Sequence, residues 1–101
     1  MKRITYAGGT IVTGDRLADI VLDYAAALAR ADLADHVRIP GLSPDERITE
    51  YDLLIGPASQ FIAERVEIPV DDVVDDGIVS ELEHRARMVR GGHDEFTGGE
   101  R

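Results

Sequence analysis

A run of carboxylates between Asp71 and Asp76 is the pattern in this sequence that comes nearest to a binding motif. Counted from Asp72, the spacing matches half of the positions of a twelve-residue EF-hand calcium loop, namely Asp72, Asp76, Gly77, Val79, Ser80 and Glu83. The third position is Val74, which has no side-chain oxygen, and Pro69 prevents a regular helix from running into the loop. Carboxylates also collect at helix starts, where they accept hydrogen bonds from unpaired amides. The run therefore predicts a helix start and no metal site.

Nucleophilic chemistry lacks a complete set of residues. The absence of cysteine excludes thiolate catalysis, disulfides and cysteine zinc sites. Ser59 lies in a turn, but it lacks the flanking glycines of a nucleophile elbow, and Pro57 removes an amide donor. The three histidines, His36, His84 and His93, are spaced too far apart for a local metal motif. We therefore predict no catalytic residue and no cofactor.

The charge balance disfavours anionic ligands. Twenty acidic residues and eleven Lys and Arg give a net charge of −9, which repels nucleic-acid phosphates and anionic lipids. The glycines near Gly8 and Gly14 complete no phosphate-binding motif, and Asp15 would repel a phosphate. No segment approaches the roughly 20 apolar residues of a membrane span, and no secretory signal is evident. We expect a cytoplasmic protein that binds neither nucleic acid nor membrane, and its arginine-rich composition suggests a bacterial source.

The strongest structural signal is an amphipathic helix from Asp15 to Leu33. Its apolar residues recur at spacings of three and four, namely Leu17, Ile20, Val21, Tyr24, Ala25, Leu28 and Ala31. Thr13 or Asp15 is expected to cap its first amides. A second helix is predicted over 78–90, with a buried stripe of Val79, Leu82, Ala86 and Val89 and a capping box at Ser80 and Glu83. The two helices must cover an apolar surface.

Alternating segments supply that surface. Around Gly8 and Gly9 we expect a hairpin that pairs Tyr6 with Ile11 and Ile4 with Thr13. A short strand over 36–39 should stop at Pro40.

The longest alternation covers 48–55 and is typical of a central strand. Its two faces differ, with Thr49, Tyr51, Leu53 and Ile55 on one face and Glu50 and Asp52 on the other. The segment 57–66 fits either a helix or a hairpin into a further strand, and its alternation favours the strand.

These elements predict an α+β fold in which a small antiparallel sheet, in ββαβββα order, carries two helices on one face. We expect a single domain over 1–90 and a flexible tail over 91–101. Leu54, Val12 and Phe61 cannot all lie on the helix-covered face, so the second face of the sheet carries some apolar area beside Thr5, Arg38, Glu50 and Asp52.

Function is predicted from surface, because no motif carries chemistry. The favoured hypothesis is a small acidic non-catalytic protein-interaction module, which forms a homodimer or docks a basic protein partner. Its expected contact residues are acidic: Asp19, Asp23, Glu50, Asp52, Asp71, Asp72, Asp75 and Asp76. The alternative is a small-molecule-binding protein or minor enzyme with a pocket between the first helix and the sheet, near Tyr6, Tyr24 and Tyr51. Mimicry of nucleic acid by carboxylates is a third, less supported hypothesis.

Overall fold

The computed structural model describes the backbone of residues 1–98 and the side chains of residues 1–91. This part of the chain forms one five-stranded antiparallel sheet and two helices, which confirms the predicted α+β class and the ββαβββα order. The elements are β1 (Lys2–Tyr6), β2 (Gly9–Thr13), α1 (Asp15–Ala31), β3 (Asp35–Leu42), β4 (Ile48–Ile55), β5 (Ile62–Arg65) and α2 (Asp76–Gly98). Across the sheet the strands follow the order β4-β3-β2-β1-β5.

The core lies between the sheet and the helices. Alternate strand residues point into it, with Ile4, Val37, Ile39, Leu53 and Ile55 almost fully buried. The predicted stripe of α1 packs on them, and α2 packs beside α1 through Val79, Leu82 and Ala86. Each helix thus buries the face that its periodicity predicts.

The capping predictions were wrong for both helices. Gly14 is the N-cap of α1 and offers no side-chain oxygen, while the hydroxyl of Thr13 donates to the carbonyl of Pro40 instead. At α2 the cap is Asp75, whose carboxylate accepts from the amide of Ile78 at 3.1 Å. The helix therefore starts before the predicted capping box, at the carboxylate run that the sequence identified as a helix start.

The hairpin between β1 and β2 has a different register from the predicted one. Tyr6 pairs with Gly9 and Ile4 with Ile11, so the turn consists of Ala7 and Gly8. Both turn residues have positive φ, 52° and 79°, as a type I′ turn requires. This register places two β-branched side chains opposite each other on the core side, and that packing compensates for the positive φ of a non-glycine residue.

β3 continues through Pro40, where the sequence predicted its end. A proline is tolerated there because β2 and β3 share a single paired position, Val12 with Leu42, so no ladder donor is required from Pro40. The bounds of β4 agree with the prediction, but β4 is an edge strand and not the central one.

The segment 57–66 contains the strand that the alternation favoured, although β5 pairs with β1 at the far edge and does not form a hairpin with β4. The α2 backbone extends to Gly98. A flexible tail was expected over 91–101. The side chains after residue 91 lie outside the described residues, so the flexibility of this segment stays a prediction.

Candidate protein-interaction face

The side of the sheet away from the helices is exposed to solvent along β4 and at His36 and Arg38 of β3, and we call it the open face, although Leu42 at the end of β3 is buried. Along β4 it carries four exposed side chains at alternate positions, which we call the β4 row: Ile48, Glu50, Asp52 and Leu54. The two apolar members of the row are 62% and 71% exposed. Two carboxylates therefore lie between two large apolar side chains on a flat surface.

An ion-pair cluster fixes one of these carboxylates. Arg38 Nε lies 2.8 Å from Asp52 Oδ1, and His36 Nε2 lies 3.1 Å from the same oxygen across the β3–β4 ladder. The hydrogen bond from Arg38 lowers the pKa of Asp52, and His36 lowers it further, so this carboxylate stays ionised. Glu50 forms no ion pair with any residue that the structure describes. Glu50 is thus the carboxylate of the row without an internal ion pair, and a cationic partner at Asp52 would share that carboxylate with Arg38.

The backbone of β4 presents hydrogen-bonding groups along the same row. Ser43 N–H donates to the carbonyl of Arg47 at 2.8 Å, which makes the odd-numbered residues of β3 the ones that hydrogen-bond to β4. The Pro40 carbonyl, which accepts from Thr13 on the opposite side, agrees with this parity. The N–H and C=O groups of the β4 row therefore point away from β3. Within residues 1–98 no other strand pairs with them.

A shallow groove of about 330 Å³ adjoins this edge on the helix-covered side. Its walls include Tyr6, Gly9 and Ile11 from the β1–β2 hairpin, and Tyr51 and Leu53 from β4. Asp52 also lines the groove although its side chain lies on the open face, so the groove reaches the backbone edge of β4.

The aromatic residues around this groove do not form the pocket predicted beside α1. The ring of Tyr6 stacks on Phe61 with centroids 4.7 Å apart. Phe61 therefore lies on the helix-covered side, because β5 pairs with β1 in the register that turns Ile62 outward. Of the three apolar residues that could not all lie on that side, Leu54 is exposed on the open face. Tyr24 is buried elsewhere and donates to Asp35, so its hydroxyl does not converge with those of Tyr6 and Tyr51.

The eight predicted contact residues separate into two groups. Glu50 and Asp52 lie on the open face. Of the other six, Asp19 and Asp23 lie on α1, Asp76 begins α2, and Asp71, Asp72 and Asp75 lie in the loop before α2. Three of these six form ion pairs within the protein: Asp19 with Lys2, Asp23 with Arg90 and Asp76 with Arg16. Acidic and exposed apolar side chains thus meet at two places, around Val74 in this loop and along β4, and of the two only β4 is a strand at a sheet edge.

Four residues of this face were not among the eight predicted contact residues. Ile48 and Leu54 flank the carboxylates, while His36 and Arg38 hold one of them in place. Alternation had already placed Arg38 beside Glu50 and Asp52, and the same signal, continued to Ile48, gives the rest of the row.

The residues considered for chemistry have local roles. Ser59 Oγ accepts from the amide of Gly56 at 2.9 Å, which confirms its role in the turn. His84 is exposed on α2, and His93 lies outside the residues whose side chains are described. Among the described residues no group of three or more His, Asp or Glu side chains could hold a metal ion. In the same part of the chain neither helix has the length and apolar character of a membrane span.

Comparison with protein-family models, curated proteins and solved structures finds no match for this chain.

Proposed function

We propose that this protein is a cytoplasmic, non-catalytic interaction module that docks a basic protein partner on its open face. The observation that carries the proposal is the β4 row, where Glu50 and Asp52 lie between the exposed Ile48 and Leu54. Exposed apolar side chains that border charged ones are typical of a protein contact surface. Carboxylates at the centre of that surface select a partner with lysine or arginine at the matching positions.

A second copy of the chain fits this surface less well. If two β4 strands paired antiparallel about a two-fold axis at Tyr51, Ile48 would lie opposite Leu54, but Glu50 would lie opposite Asp52 twice. An axis at Asp52 or at Glu50 would place that carboxylate opposite its own copy. Like charges directly across a strand pair are destabilising. In these three registers the charges on β4 favour a basic partner over self-association, whereas an axis at Leu53 would place Asp52 opposite Leu54 without this repulsion.

The proposal is tested with two variants that change the net charge equally. One carries Glu50→Gln and Asp52→Asn on the open face, and the control carries Asp19→Asn and Asp23→Asn on α1. Proteins crosslinked to each variant in the native host are quantified by mass spectrometry. We expect basic proteins that the open-face variant loses and the α1 control retains. Equal retention by both variants, or equal loss from both, would contradict a specific docking role for the open face.

Varying the salt concentration in the same experiment tests whether the partner is attracted by the charges of the open face. Exposed charges are screened within about 10 Å at 0.1 M salt, so capture that depends on the carboxylates must weaken as salt rises. Capture that resists both salt and neutralisation of Glu50 and Asp52 would show that the partner is not selected by charge.

A further inference from the structure

We propose that the basic partner binds as an additional antiparallel β-strand along the free edge of β4. This inference rests on the proposed function and specifies how the partner is recognised. It assigns lysine or arginine to the partner positions opposite Glu50 and Asp52, and apolar residues to the positions opposite Ile48 and Leu54.

The first argument is that alternate residues of β4 direct their backbone N–H and C=O groups to opposite sides, so that one set faces β3 and the other faces the free edge. The hairpin bond from Ser43 to Arg47 fixes which residues of β4 hydrogen-bond to β3, and the β4 row is the remaining set. The same four residues therefore present both their side chains on the open face and their N–H and C=O groups at the edge. A strand that pairs with these groups places its own alternate side chains directly opposite the β4 row, on the same face.

The second argument is the length and composition of the edge. β4 is eight residues long, whereas the opposite edge, β5, has four, and Glu64 of β5 is already paired with Arg3. Natural edge strands are commonly blocked by charged side chains, proline, a bulge or a covering element. Within the described residues β4 contains no proline or lysine and pairs with β3 without a bulge, so its two carboxylates are the blocking device it carries, and the β1–β2 hairpin adjoins it on the helix-covered side. The carboxylates repel a second β4 in the registers that place them opposite each other but attract a cationic strand, so the edge is selective rather than closed.

The third argument is the groove beside the edge. In an added strand the residue between the two basic positions lies opposite Tyr51 and points to the helix-covered side. There it meets the groove lined by Tyr6, Ile11 and Leu53, which is open at the β4 backbone. An apolar side chain fits this environment. The recognised segment therefore alternates apolar, basic, basic and apolar residues on one face, with an apolar residue on the other face at its centre.

A short synthetic peptide with this pattern tests the inference. Valines occupy the two outer apolar positions, lysines the two basic positions, leucine the centre, and threonines the remaining positions. Binding to the intact protein is measured by fluorescence anisotropy at low salt. Two modified peptides are compared with the parent, one N-methylated at both lysines, whose amides face β4, and one N-methylated at both threonines, whose amides face away. A fourth peptide replaces the lysines by glutamates.

Strand addition predicts that methylation at the lysines weakens binding by about tenfold or more, because two edge hydrogen bonds of about 1 kcal/mol each are lost. Methylation at the threonines should change binding by less than about threefold. The glutamate peptide should not bind, and the Glu50→Gln, Asp52→Asn variant should bind the parent more weakly than the α1 control does.

The outcomes separate the two proposals. If both methylated peptides bind like the parent while the glutamate peptide does not, strand addition is wrong and charge-selective docking stands. If the lysine and glutamate peptides bind equally, selection of a basic partner is wrong as well. Absence of parent binding, or a dimer in analytical ultracentrifugation that the peptide cannot dissociate and that Leu54→Asp removes, would overturn strand addition because the edge would then be unavailable.

Discussion

Because Tyr24 donates a hydrogen bond to Asp35, we expect the free energy of unfolding to fall at high pH, where the phenol of Tyr24 ionises. Tyr24 Oη donates to Asp35 Oδ2 at 2.5 Å, and Arg85 Nη1 lies 3.1 Å from the same oxygen. Only 3% of Tyr24 is exposed. Burial and the neighbouring carboxylate raise the pKa of this phenol from 10.0 to about 12, although Arg85 acts in the opposite direction. The folded protein thus keeps the phenol protonated where the unfolded chain ionises it.

The size of the effect follows from linkage. A shift of one pKa unit corresponds to 1.36 kcal/mol, so the raised pKa gives the folded protein a pH-dependent contribution of about 2–3 kcal/mol, relative to the protein with Tyr24 ionised. Because the pKa is raised in the folded state, this contribution is complete below pH 10 and is lost as the pH rises to about 12. Tyr24→Phe removes the titration. The variant should be less stable at neutral pH by about 1–2 kcal/mol, since the hydrogen bond to the Asp35 carboxylate is lost, and its stability should decline less at high pH.

Urea unfolding followed by circular dichroism at several pH values between 8 and 12 measures both effects. Tyr6→Phe serves as the matched control, because it removes a phenol hydroxyl that does not contact Asp35. The difference in free energy of unfolding between the natural chain and Tyr24→Phe should shrink above pH 10, and Tyr6→Phe shows what loss of a phenol hydroxyl away from Asp35 does. A constant difference for Tyr24→Phe would refute the argument.

Four further predictions concern the fold and the open face. Burial alone would raise the pKa of Asp35, but hydrogen bonds from Tyr24 and the His36 amide, together with the nearby Arg85, make the net shift a lowering. The natural chain therefore loses stability when this carboxylate is protonated, and Asp35→Asn should lose less stability below pH 4 in an acid titration. Gly14→Ala should lower the free energy of unfolding by about 1–3 kcal/mol, measured in urea, because the added Cβ would lie 1.8 Å from the Val73 carbonyl oxygen. Leu53→Ala should cost about 2–5 kcal/mol in the same assay. Arg38→Gln should tighten binding of the lysine peptide, measured by anisotropy, because Asp52 loses its internal cation; weaker binding would contradict the assigned charge contacts.

Local patterns in the sequence were sufficient to predict the helices and strands but not to predict which strands pair with one another. The period of α1 and the alternation of β4 depend on which face each residue buries, and both agree with the structure. The position of β4 at the edge depends on pairing with distant strands, which periodicity does not contain. Leu54 illustrates the difference: its alternation with Leu53 and Ile55 gives its face, on which it is exposed, but no local pattern shows that its strand lies at the edge.

The candidate site was predictable only in part for the same reason. Glu50 and Asp52 were placed correctly on one face by alternation alone. The ion pairs that occupy Asp19 and Asp23 join residues far apart in the chain, so the sequence offered no means to separate these carboxylates from the others. The direction of the β4 backbone groups depends on how the loop after Leu42 closes, and it became known only with the Ser43–Arg47 bond.

The sheet consists of two hydrogen-bonded ladders that are joined at a single paired position, Val12 with Leu42. β2, β1 and β5 form one continuous ladder, β3 and β4 form another, and α1 connects them in the chain. A strand bound at β4 would extend only the smaller ladder and would leave the hydrogen bonds of the larger ladder unchanged. In hydrogen-exchange experiments with the lysine peptide, protection should therefore rise along β4 and its hairpin while the amides of β1 keep their rates.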